Sequence, residues 1–378
     1  MGLLHRHLFA SVAGACAVAV GLFGFVLIAG QALRDLLAYV MAGQLAPETA
    51  ARLLGLMLPY VAVYALPIGL LTAVLLVLGR MSSQQEITAM RAAGLSLGYI
   101  ARPVWAIAGV AVLLSLALNF YVMPRARTAY KATLVEAVRQ NPLNFIVPKT
   151  FVQDFPGFVV YVGDREGAQL RDFWLWQIDA QKRVLGLARA KSGTIEYNEA
   201  KNCLILTLRE VSVESRDREQ PENFSKPPLV ATSESTSVEL KLEGVFKQMK
   251  VSQKINWMTY GQLMARRAEL KDKGVQVTKD ERVELTRVTV ALSEKAAASF
   301  AVLAFALVAV PLGIKVSRKE TSANLGIAVA LVLGYYFLAA LTGLLERSPS
   351  LRPEFWVWLP PLGYAVAGIW LFRRVDRA

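Results

Sequence analysis

The sequence predicts a membrane α+β protein: six transmembrane helices, with a β-rich domain inserted between helices 3 and 4. Three observations carry that class. Hydrophobic residues make up 54% of the 378, above the ~45–50% usual in soluble domains. They concentrate in six long runs free of Asp, Glu, Lys and Arg. Between the third and fourth runs the apolar period changes from helical to alternating. A formal net charge of +13 would suggest nucleic acid in a soluble chain. Here the basic residues gather at the ends of apolar runs, which fits a membrane instead.

The runs are Leu8–Leu33, Leu53–Gly79, Pro103–Pro124, Ala296–Ile314, Thr321–Leu345 and Phe355–Phe372. A hydrocarbon core of ~30 Å takes about 20 helical residues, so each is read as a span. The first exceeds the ~7–15 apolar residues of a signal core and is expected to be retained. The last contains Pro360-Pro361, which predicts a kink. Cys16 and Cys203 lie in different regions and form no disulfide framework.

Orientation follows from Lys and Arg near the span ends. With the amino terminus inside, the inner segments carry Arg6, Arg80, Arg91, Arg102, Lys315, Arg318, Lys319, Arg373, Arg374 and Arg377. The short outer loops carry Arg34, Arg52, Arg347 and Arg352. Ten against four predicts both termini in the cytoplasm and the Arg125–Lys295 segment outside.

Within that segment, Phe158–Val162, Phe173–Ile178, Thr194–Tyr197, Cys203–Leu208 and Ser237–Leu242 read as strands. Gly163-Asp164, Gly186 and Tyr197-Asn198 read as turns, and Arg216–Pro228 as a loop. A sandwich, jelly roll or open barrel all fit this pattern. It serves equally as a solubilising ectodomain or as a groove for an apolar ligand. Met258–Lys273 reads as a helix ending before Gly274. Thr278 and Glu281 match a capping box, opening a helix that runs to Ile314.

The sharpest motif lies between spans two and three: Gly79-Arg80-Met81-Ser82-Ser83-Gln84-Gln85-Glu86-Ile87-Thr88-Ala89-Met90-Arg91-Ala92-Ala93-Gly94-Leu95-Ser96. It reads as a short amphipathic helix, with Ser83 as cap, Glu86 three residues on and Gly94 as left-handed stop. Ile87, Met90 and Gly94 share one face; Thr88 and Arg91 lie on another. Two readings stay open. Glu86 completes a capping box above an interfacial anchor, or the helix docks into a groove on a cytoplasmic partner.

This loop resembles the signature of the lipopolysaccharide export permeases, LptF and LptG, at Gly79, Arg80, Ser82, Ser83, Glu86, Ile87, Met90, Ala92, Gly94 and Ser96. The similarity extends over essentially the whole chain. Gln31–Leu37, Asn141-Pro142 and Pro311-Leu312 also match, and the Glu-Ile-Thr-Ala-Met run with Asn141-Pro142 leans toward LptF. The resemblance implies spans 1–3 in residues 1–124, with a coupling helix at 81–98. It implies a periplasmic β-jellyroll and following helix in 125–278, and spans 4–6 in 279–378. It further implies an inner-membrane permease paired with its paralogue (LptG- or LptF-like) and moving lipopolysaccharide. A dimeric ATP-binding subunit (LptB-like) would drive it through Glu86, Ile87, Met90, Arg91 and Gly94. Periplasmic partners (LptA/LptC-like) would receive the lipid.

What is missing narrows the mechanism. No Gly-x-x-x-x-Gly-Lys-Ser/Thr loop occurs, so any ATP is expected on a partner chain and no cofactor or catalytic group on this one. The two histidines, His5 and His7, form no metal-protease motif. Uncharged spans disfavour a secondary lipid transporter. A membrane-anchored periplasmic binding or scaffold protein needs neither six spans nor a capped cytoplasmic helix. Near the outer span ends, Arg34, Arg287 and Lys295 are candidates for holding an anionic lipid head group. Arg287 and Lys295, eight residues apart, share a helix face. Alternatively they snorkel to any bilayer lipid, paired with Glu284 or Glu294.

Overall fold

A computed structural model describes residues 2–41, 45–140, 148–149, 151–152, 157–179, 181, 183–198, 203–216, 229–241, 255–272, 279–316, 321–344 and 352–377. Asn141-Pro142, the 217–228 stretch, Thr278, Arg318, Lys319 and Arg347 lie outside the described residues. The chain divides into two compact units. Met1–Leu33, Leu54–Ala129 and Gln253–Ala378 form the first; Arg34–Leu53 and Tyr130–Ser252 form the second.

Six helices among the described residues are long and apolar enough to cross a membrane, most of their length falling in the first unit. Helix α1 (Leu3–Leu27) passes through a π-helical turn at Ile28–Ala32 into α2 (Leu33–Met41). Helix α3 (Pro47–Ser83) is the second span. The short helices α4 (Glu86–Ala92) and α5 (Leu97–Ile100) follow it. Helix α6 (Arg102–Ala117) runs through a second π turn, Leu118–Val122, into α7 (Met123–Gln140). After the sheet come α8 (Tyr260–Asp272), α9 (Lys279–Val316), α10 (Thr321–Leu344), α11 (Pro353–Trp356) and α12 (Leu359–Asp376). At 38 residues, α9 is about 57 Å long, nearly twice a bilayer core.

Spans two and four are the centre. Their most apolar windows are 78% and 67% buried, against 17% for spans one, five and six. Leu70, Leu71, Val74, Leu75 and Leu78 of α3 meet Val302, Phe305, Ala309 and Val310 of α9 in one cluster. The peripheral helices turn apolar side chains outward, among them Phe25, Leu113, Phe337 and Val366. In water such a surface would be costly at ~25 cal/mol per Å²; against lipid tails it is not.

Two local expectations are corrected here. Pro360-Pro361 do not kink the last span, because α12 begins at Leu359. They occupy its first turn, where missing N–H groups leave no bond unmade. Helix α8 starts at Tyr260 rather than Met258 because Thr259 and Gln262 form a capping box. The Thr259 amide donates to Gln262 Oε1 at 2.9 Å, and the Gln262 amide reaches Thr259 Oγ1 at 3.5 Å.

The second unit carries six antiparallel strands in consecutive order: β1 (Phe151–Val152), β2 (Phe158–Glu166), β3 (Gln169–Ile178), β4 (Val184–Asn198), β5 (Cys203–Ser215) and β6 (Leu229–Lys241). Every segment read as a strand lies in or overlaps one of them. The described strands make a meander, with no crossover among them. Gly163-Asp164 and Gly186 are not turns; they lie inside β2 and β4. The β2–β3 turn is at Gly167-Ala168 instead, between the Glu166↔Gln169 pair.

Gly163 serves a crease. Buried positions change parity from Leu170 to Phe173 on β3, from Ala190 to Ile195 on β4 and from Leu208 to Val211 on β5, so the alternation slips by one residue in the middle of these three strands. The slip falls on one row, Gly163–Asp172–Lys191–Glu210–Glu234, by strand register. Asp172 and Glu210 take positive φ there, 51° and 52°, and a Cβ on Gly163 would lie 2.9 Å from that of Asp172. A slip shared by neighbouring strands keeps the register while bending the sheet. Apolar residues on both sides of the crease then share one core, which Val135 of α7 also joins.

Candidate functional site

The loop after span two is built onto the membrane unit rather than projecting from it. Helix α3 continues to Ser83, and the chain reverses at Gln84-Gln85, where Gln85 takes φ 60°. Ser83 does not cap the next helix. Its hydroxyl donates to the Arg80 carbonyl at 2.8 Å, because α3 is still propagating and a serine in a helix bonds back along it. The expected capping box is therefore absent: Glu86 is the first residue of α4, and Gln85 is its cap, without a side-chain bond.

The rest of the motif has a structural account. Ser82 Oγ donates to the Ile314 carbonyl at 2.7 Å, lashing the end of α3 to the end of α9. Ile87 is 2% exposed and joins the apolar core, with Met90 and Leu95 packed against it. Gly94, at φ 84°, stops α4 as the sequence predicts. The Leu95 amide donates to Met90 O at 3.1 Å and the Gly94 amide to Arg91 O at 2.9 Å, the Schellman pair. Ser96 caps α5 through the Tyr99 amide at 3.3 Å, a role the sequence reading missed.

Arg91 turns away to the carboxyl end of α12. Its guanidinium donates to Val375 O at 3.3 Å and Asp376 O at 3.0 Å, occupying carbonyls that a helix end leaves open. His5 Nε2 donates to Tyr99 O at 3.0 Å, and the two rings lie 4.5 Å apart. The start of span one, this loop and the end of span six thus share one end of the helical unit.

Glu86, Thr88 and Ala89 remain exposed. Glu86 has no side-chain partner among the described residues. The loop therefore offers one acidic side chain on a helix whose apolar side is already engaged.

The candidate head-group residues separate. Arg34 and Arg287 are exposed. Lys295 is 6% exposed, and its ammonium donates to Met258 O at 2.8 Å, so it faces the protein and does not share Arg287's environment. Glu284 pairs with Arg266, at 2.9 Å, rather than with Arg287. Beside Lys295 runs a polar chain that the reading missed. Asn119 Nδ2 donates to Ser115 O at 3.0 Å and to Ser299 Oγ at 3.1 Å, and Ser299 Oγ donates to Lys295 O at 2.8 Å. Its signal in the sequence is a Ser and an Asn four residues apart in the third apolar run, with Ser299 in the fourth. A second π turn holds Asn119, and such turns gather at functional positions.

No group of His, Cys, Asp and Glu that could hold a metal occurs among the described residues. Set against known proteins, residues 6–374 match the family model described as Lipopolysaccharide export system permease LptF/LptG. No individually curated protein matches the chain.

Proposed function

The chain belongs to the LptF/LptG family of lipopolysaccharide export permeases, and from that premise we propose that it is the non-catalytic permease subunit of an ATP-driven exporter in the bacterial inner membrane. The observation that carries this reading is Glu86, exposed at the start of a helix whose other side is fixed to the spans. ATP is bound by a separate dimeric subunit, whose surface receives α4. Glu86 makes the direct contact, with Ala89 beside it. Ile87, Met90, Arg91 and Gly94 hold the helix in place. Because Ile87 joins the core of α3 and α9 while Arg91 grips α12, a push at Glu86 moves several spans together.

Both termini are cytoplasmic in this reading and the sheet is periplasmic, in keeping with the basic bias of the inner segments. A second, paralogous permease completes the transport cavity. Lipopolysaccharide enters from the membrane, meets Arg34 and Arg287 near the outer span ends, and passes to periplasmic partners. Lys295 contributes through the fold of that region, by holding the Met258 carbonyl. The decisive experiment is purification from mild detergent of the chain and of its Glu86→Ala variant. The wild type should carry a cytoplasmic ATPase and the variant should lose it while keeping its paralogue. Recovery of the wild type without any ATPase would overturn the reading.

A further inference from the structure

The outer face of the sheet, opposite its apolar core, carries a ledge of aromatic rings on one side of the crease. Strand register sets two neighbouring rows there. Tyr161, Trp174 and Arg189 stand in one; Trp176, Leu187 and Glu214 stand in the next. The indoles of Trp174 and Trp176 lie 17° from parallel with centroids 5.7 Å apart. Phe151 extends the ledge, 5.0 Å from Tyr161 and 5.6 Å from Trp176, and is 59% exposed.

The rings are held in orientation. Trp174 Nε1 donates to Asp172 Oδ1 at 2.9 Å, the Arg189 guanidinium lies 4.4 Å from the Trp174 centroid, and Arg189 pairs with Asp172 at 3.6 Å. Beside Trp176 a shallow cleft is lined by Val184, Gly186, Leu187, Glu214 and Arg216. An aromatic floor with a carboxylate and a guanidinium at its rim has the amphipathic character of a pyranose ring, apolar on its C–H face and polar around its edge. An anionic membrane surface would select a basic excess, yet Asp172 and Glu214 balance Arg189 and Arg216 here.

We propose that this ledge is a carbohydrate-binding platform, with Trp176 and Tyr161 stacking on sugar rings and Glu214 and Arg216 bonding their hydroxyls. The proposal rests on the export reading only for the source of the sugar, the glycan portion of the transported lipid. The glycan then rides on the outside of the domain.

The test uses the full-length protein in nanodiscs, free of glycosidic detergent, with lipid-free core oligosaccharide released from lipopolysaccharide as the probe. Saturation-transfer NMR should show the sugar bound. Trp176→Ala should weaken it roughly tenfold, the loss of one ring-stacking contact, while Trp176→Phe keeps most of the affinity in an equally folded protein. Absence of binding to the wild type, or unchanged affinity in Trp176→Ala, overturns the platform. So does a photoreactive residue at position 176 that crosslinks to nanodisc phospholipid and not to sugar. Because the probe has no lipid, a negative result with intact lipopolysaccharide release removes the platform alone. A failed ATPase copurification would leave the binding measurement standing.

Discussion

The Arg91 guanidinium donates to the Asp376 carbonyl at 3.0 Å, joining residues 285 positions apart. It ties a seven-residue loop helix to the last turn of the final span, so the loop's position depends on the end of the chain. Arg91→Ala should speed hydrogen exchange across residues 86–100 and in the last turn of α12 together. A cation at a helix end contributes about 0.3–1 kcal/mol, so global stability should change little. Faster exchange in the loop alone would mean that the two ends are not coupled.

Glu86 has lost its capping-box rationale, and that sharpens its test. Glu86→Ala removes no side-chain hydrogen bond among the described residues and should shift stability by no more than about 0.5 kcal/mol. Binding of the ATPase subunit, measured on the purified complex, should nevertheless fall. Glu86→Gln keeps the shape without the charge and should fall with it. Full activity in Glu86→Gln would show that charge at this position is irrelevant.

Lys295 and Arg287 should behave differently although both lie on α9. Lys295→Ala leaves the Met258 carbonyl without its donor, and a buried polar group so orphaned costs about 1–3 kcal/mol, read as a lower melting temperature. Arg287→Ala should melt like the wild type but, in the proposed head-group role, yield fewer lipopolysaccharide crosslinks from neighbouring positions. Equal melting temperatures for the two variants would return Lys295 to a surface role.

A pH effect is expected at the β3–β4 hairpin. Burial alone would raise the Asp179 carboxyl, but hydrogen bonds from the Arg183 amide and guanidinium, with that cation's charge and the Gln181 amide, hold its pKa below the ordinary carboxylate value. A carboxylate depressed on folding stabilises above its unfolded pKa of ~3.9 and loses that contribution as pH falls through the folded value. Hydrogen exchange at residues 177–186 should therefore accelerate below about pH 4, beyond its intrinsic change. Asp179→Asn should abolish the extra acceleration; its persistence in that variant would assign it elsewhere.

Composition and period determined much of this protein before any fold was known. Six uncharged runs of sufficient length can satisfy their backbones in a bilayer only as helices, and alternation in the middle segment can bury one face only as strands. The same local logic placed Gly94 as a helix stop, because a left-handed residue after an apolar turn needs no distant partner. The family, too, was legible in the loop motif.

Where the outcome depended on a neighbour far along the chain, the sequence was silent or misleading. Ser83 resembles a cap, but α3 outruns it. Ile87 resembles a docking residue, but the α3–α9 core takes it in. Gly163 resembles a turn, yet it lies on the row where β3, β4 and β5 slip. Lys295 resembles an exposed cation, and a carbonyl 37 positions away draws it inward. Each of these residues has two locally acceptable fates. Long-range packing and the pairing of buried polar groups, which no single stretch of sequence contains, decide between them.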